Sequence, residues 1–201
     1  MKGLSTEDLD AVKELVNIGV GRAAAMLNEI TCSHITLHVP TLQVIRLDEL
    51  DSAGGLSGRT GAATVKIDFR GFFTGTTALI FPPESAAALV MAITGEGEDL
   101  PELDAIRIET LMEVGNIFIN GVMGSIGNVL GQQITYLPPV YVEDTMANIV
   151  RTARFDPDER VLLANTRFYV EDINVEGIIA MILEIGSLDT LLEKIAVVRG
   201  G

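Results

Sequence analysis

The chain has no tryptophan, one cysteine and two histidines among its 201 residues. A lone thiol, Cys32, can neither close an intramolecular disulfide nor build a thiolate metal cluster. Aromatic residues make up only 5% of the chain, so its core must be assembled from Leu, Ile, Val, Ala and Met. Positive charge is also scarce: 14 Lys and Arg stand against 28 Asp and Glu, for a formal charge of -14. Such a surface repels phosphate backbones and anionic lipid, which argues against nucleic-acid binding and membrane attachment. The opening MKGLSTEDLD lacks the apolar segment of a secretory signal. Residues 114–142 carry no charge, but they include Asn116, Asn120, Asn128, Gln132 and Gln133, with Pro138 and Pro139. Hydrocarbon would leave those amides unsatisfied, so the stretch is not read as a membrane span. A soluble, cytoplasmic protein without membrane insertion is expected.

What is present is apolar and repetitive. Hydrophobic residues are 48% of the chain, enough for a packed core. Residues 14–41 align without a gap on residues 113–140, an offset of 99: Glu14 falls on Glu113, Asn17 on Asn116, Ile35 on Ile134 and Pro40 on Pro139. Further on the offset becomes 102, setting Gly75 on Gly177, Ala78 on Ala180 and Leu89 on Leu191. Two blocks in the same order point to an internal duplication. The predicted repeats are about 1–95 and 104–201, joined by the acidic, Gly-containing linker 95–104, within a single domain 1–201. Each half begins with a long helix, about 5–30 and 104–131. A strand closed by proline follows (ITLHV, then ITYL), and after an irregular or short helical stretch comes a hairpin. A shorter helix ends each half, about 84–94 and 187–195. The fold class expected is α+β: a pseudo-twofold domain with an antiparallel sheet and two long helices covering one face.

Those helices carry the polar residues of interest. Ser5 or Thr6 can cap the first, with Glu7 and Asp8 favouring its dipole. At about 100° per residue, Val12, Val16, Gly19, Ala23, Met26, Leu27 and Ile30 form one stripe, with Asp10, Glu14, Asn17 and Gly21 opposite. In the second helix Leu111, Gly115, Phe118, Val122, Ile126 and Val129 form the buried stripe, and Glu109, Glu113, Asn116 and Asn120 the exposed one. Glu is an anion suited to a partner's lysine, and an Asn amide can hold and aim a water. Aiming a water can contribute several kcal/mol, up to roughly 7–11 for a fully oriented reaction. A lone Glu-x-x-Asn carries little weight, since about 0.6 are expected by chance in this composition. Its recurrence 22 residues before a proline, at Pro40 and again at Pro139, is what makes the pattern specific.

With Asp10, Glu14, Asn17 and Pro40, and again Glu109, Glu113, Asn116 and Pro139, the sequence resembles the CheC family of chemotaxis phosphatases. That family's signature is Asp or Ser, three residues, Glu, two residues, Asn, twenty-two residues, Pro; Glu109 departs from its first position. The resemblance implies a CheC-like fold and hydrolysis of the aspartyl phosphate of the response regulator CheY. It further implies that Asn17 and Asn116 orient water while Glu14 and Glu113 dock. Mg²⁺ would sit on the phosphorylated CheY, leaving this chain with no cofactor or metal of its own. It also implies binding of the receptor deamidase CheD, placed near VEDTMANIV with Asp144, and a monomer is expected. The related CheX has one such site and dimerises, so two sites disfavour it, and the switch protein FliM generally lacks the pair. The alternative is a non-catalytic adaptor for CheD or phosphorylated CheY.

Other chemistries find less support. Asp10 and Glu14 with Glu109 and Glu113 suggest a carboxylate metal site, but the Glu-x-x-His pairs of di-iron bundles are missing. His34 and His38 alone rarely make a site. No Gly-rich spacing matches a P-loop or dinucleotide fingerprint, and no hydrolase triad is recognisable. Cys32 reads as a small buried hydrophobe.

Overall fold

The computed structural model describes residues 6–31, 35–46, 49, 61–95, 104–144, 160–170, 173–183 and 187–200. In chain order these form α1 (Thr6–Thr31), β1 (Ile35–Arg46), β2 (Ala62–Gly71), β3 (Gly75–Phe81) and α2 (Pro83–Thr94). Then come α3 (Ala105–Leu130), β4 (Ile134–Tyr136), β5 (Val140–Asp144), β6 (Arg160–Val170), β7 (Ile173–Leu183) and α4 (Ser187–Gly200). The strands make one antiparallel sheet in the order β1-β6-β7-β3-β2, with β4 and β5 both pairing with β2. The expected α+β class holds. Among the described residues no helix is long and apolar enough to cross a membrane.

Local chemistry sets the ends of α3. The Asp104 carboxylate accepts a 2.9 Å hydrogen bond from the Arg107 backbone N–H, and Gly131 closes the helix at φ 62°. Helix α2 starts on Pro82–Pro83 and ends at Gly95, φ 71°. The cap expected at Ser5 lies outside the described residues, and Thr6 is already helical. So do most of the linker, Cys32 and His34.

All four helices share one core with the same side of the sheet. Val16 and Leu27 of α1, Leu89 of α2, Phe118 and Val122 of α3 and Leu191 of α4 pack with Val65, Ile67, Phe69, Leu79 and Ile179. Ala78, Ile80, Ile178 and Ala180, at alternate positions of β3 and β7, are buried as well. Burial on both faces marks these two strands as the middle of the sheet. The buried stripe expected of α1 holds at Val12, Val16, Gly19, Ala23 and Leu27, but Met26 is 41% exposed. The side chain of Ile30 is outside the described set.

Two details differ from the sequence reading. Strand β1 does not stop at Pro40 but continues to Arg46, its pairing with β6 shifting between His38 and Thr41. An edge strand tolerates proline at such an irregularity, because the missing N–H costs no ladder bond there. Positions 99 apart keep equivalent registers on the outer strands: Ile35 pairs Val170 and Ile134 pairs Gly71, then Thr41 pairs Asn165 and Val140 pairs Lys66. In the hairpins, however, Phe69 pairs Gly75 and Phe168 pairs Val175, so Gly75 corresponds to Val175 rather than Gly177. A two-residue difference leaves every side chain on its face, which is why the hydrophobic match alone does not fix it.

Candidate functional site

The long helices meet through small residues. A Cβ on Gly19 would lie 2.8 Å from the Val122 Cα, and one on Gly121 would lie 2.9 Å from the Ala23 Cα. Helix α1 packs on α3 and the edge strand β1, whereas α3 packs on α1 and the inner strands β2 and β3. Gly115 sits directly on the sheet, where a Cβ would come within 2.6 Å of the Val65 Cγ1.

That difference in depth governs the polar faces. Asp10, Glu14 and Asn17 are all exposed on α1. On α3, Glu109 and Glu113 are exposed, but Asn116 and Asn120 are half-buried, not fully exposed as their stripe suggested. The cause is that α3 is the inner helix, so residues beside its apolar stripe are covered too.

Asn120 Nδ2 donates a 2.7 Å hydrogen bond to Asn116 Oδ1, one helical turn away. The Asn120 Oδ1 is buried without a hydrogen-bond partner, an arrangement that typically costs about 1–3 kcal/mol. Asn116 keeps its own NH₂ and one carbonyl lone pair for a water or ligand. On α1 the position one turn after Asn17 is Gly21, which meets no neighbour.

The α1 face has a different asset. Glu14 stands at the edge of a cavity of about 170 Å³ walled by Ile18, Val129, Leu130 and Ile195. Ile18, beside Asn17, is 37% exposed. Since Glu14 adjoins Val129 while Asn116 lies far back along that same helix, the two faces are roughly 20 Å apart at about 1.5 Å rise per residue. The four helix carboxylates therefore do not converge. Among the described residues no group of three His, Cys, Asp or Glu could hold a metal ion.

The prolines mark matching breaks. Pro40 falls where β1 shifts register, and Pro139, half-buried, lies between β4 and β5. Neither is on a helix face with Glu or Asn. Asp144 is half-buried at the end of β5, opposite Ala62, and residues 145–150 lie outside the described set. Nearby, burial and the Glu143 carboxylate, which accepts from the Tyr141 hydroxyl at 3.3 Å, push the Tyr141 phenol up to about 12.

Sequence reasoning placed Asn120 on the exposed stripe but missed its bond to Asn116; the signal was there in the Asn-x-x-x-Asn spacing. It also missed the cleft at Ile18, whose signal was an isoleucine beside Asn17 on an otherwise polar side.

No family model matches the chain. The CheY-P phosphatase CheC of Bacillus subtilis (strain 168) is 27% identical over 137 residues, covering 66% of this chain and 64% of that protein's length. Among solved structures, Thermotoga maritima FliY superposes with a TM-score of 0.80 at 18% identity, over 97% of this chain and 98% of that one. The FliM middle domain from H. pylori gives 0.68 at 13% identity, over 95% and 99% of the two chains. CheX from Desulfovibrio desulfuricans gives 0.53 at 14% identity, over 85% and 99%. The helix-covered antiparallel sheet is thus a fold that all three of these structures share. Taken with the sequence match to CheC, it makes the chain similar in sequence to CheC and in fold to FliY, FliM and CheX.

Proposed function

We propose that the chain is a chemotaxis phosphatase that hydrolyses the aspartyl phosphate of the response regulator CheY. The observation that carries this reading is the twofold occurrence of a Glu and an Asn one turn apart on accessible helix faces. In it Asn17 and Asn116 hold a water in line with the phosphorus. The water oxygen bonds to phosphorus, the aspartyl oxygen leaves as carboxylate, and a proton passes to solvent, giving inorganic phosphate. No nucleophile on this chain is needed, since positioning and electrostatics supply most of the effect in phosphoryl transfer. Mg²⁺ is held by the acidic pocket of CheY.

Glu14 and Glu113 dock a lysine of the regulator. The cavity beside Glu14 suits that role, because lysine methylenes can lie against Ile18 and Val129 while the ammonium reaches the carboxylate. This chain carries a formal charge of -14 and response regulators are usually acidic as well, so docking depends on such local complementarity rather than long-range attraction. The second partner in this reading is CheD, bound at the β5 end around Asp144, and the chain acts as a monomer.

A second reading is an adaptor that docks phosphorylated CheY or CheD without turnover. One experiment separates them. Phosphorylated CheY is followed with Mg²⁺ and catalytic amounts of this protein. Accelerated decay that falls by about 10²-fold in the Asn17→Ala, Asn116→Ala variant supports the phosphatase. Binding without acceleration moves the reading to the adaptor.

A further inference from the structure

We infer that Asn120 is a positioning residue for Asn116, an assignment that rests on the phosphatase reading. Three observations carry it. Its Nδ2 donates to Asn116 Oδ1 at 2.7 Å, which fixes the plane of the Asn116 amide and turns its NH₂ away from Asn120. The Asn120 Oδ1 is buried with no partner, so the residue is not there for its own hydrogen bonding. An apolar side chain of similar size would fill that half-buried position without the orphaned oxygen. Retaining a polar group where packing alone prefers an apolar one is the mark of a site tuned for something other than stability.

The fixed amide matters because aiming depends on angle. An unsupported Asn side chain on a helix surface samples several χ2 values, and most of them point a bound water away from the in-line direction. Tethering the carbonyl from one turn further along removes that freedom and still leaves the second lone pair and both N–H donors for water and phosphoryl oxygen. Helix α1 has no such tether, since Gly21 occupies the corresponding position.

The test uses Asn120→Leu, which keeps the volume and removes both the tether and the orphaned oxygen. It is made in the Asn17→Ala background, where decay of phosphorylated CheY reports the α3 face alone. The expected result is a loss of kcat of roughly three- to tenfold with KM unchanged, the size set by one net hydrogen bond. The melting temperature should hold or rise. A double-mutant cycle adds the second readout: Asn120→Leu causes no further loss once Asn116 is Ala. A lower melting temperature with kcat intact would mean that Asn120 is purely structural and would overturn the proposal. So would a wild type that accelerates decay while Asn17→Ala alone does not. If the wild type itself fails to accelerate decay, the phosphatase reading falls and this one with it, an outcome distinct from the other two.

Discussion

Helices α1 and α3 carry the same polar signature, yet they stand in unlike places. Helix α1 is the outer one: it packs beside α3 and on an edge strand, and its Asp10, Glu14 and Asn17 are exposed. Helix α3 is the inner one, with Gly115 against Val65 and Phe118 wholly buried. The outer face has an apolar cavity beside its glutamate, and the inner face has a second asparagine tethering the first. The same Glu-x-x-Asn spacing is therefore presented with an apolar cavity in one case and a hydrogen-bonded amide in the other. A motif shared between two helices does not make two equivalent sites, because what surrounds it is set by depth in the fold.

The largest effect expected of this contrast is on stability. Position 118 of α3 holds a phenylalanine where α1, 99 residues earlier, has Gly19. Phe118 is fully buried in the shared core, so Phe118→Ala should cost about 3–5 kcal/mol in denaturant unfolding. A cost under about 1 kcal/mol would break the view of α3 as the more deeply buried of the two helices.

How much of this was legible beforehand can be argued from particular residues. The helices were readable because their apolar residues recur at helical spacing. Glu14, Asn17, Glu113 and Asn116 were readable because the pattern recurs at one offset and at one distance from proline. Spacing alone would have misled: Glu171 and Asn174 also match it, yet Asn174 lies in strand β7, not on a helix. The greater burial of α3 was not legible, since amphipathicity gives the direction of the core but not how far neighbouring elements wrap around a helix. The continuation of β1 past Pro40 was hidden for a related reason: proline stops a central strand but not an edge strand, and strand order is a tertiary property.

The smallest effects sharpen the comparison most, because they come from two glycines on one helix. Gly19 faces α3, where a Cβ would press on the backbone of Val122 at 2.8 Å; no side-chain rotation relieves that contact. Overpacking of this kind costs about 1–3 kcal/mol, against about 1 kcal/mol recovered from the better helix propensity of alanine. Gly19→Ala should therefore lose about 1 kcal/mol, seen as a melting point lower by roughly 2–4 °C in a domain of this size. Gly21 lies on the opposite side, where an added Cβ meets nothing within 4 Å. Gly21→Ala should gain about 0.5–1 kcal/mol, because it only restricts the unfolded chain and improves the helix. If both substitutions shift the melting temperature in the same direction, α1 is not seated against α3 as described, and the distinction between outer and inner helix loses its basis.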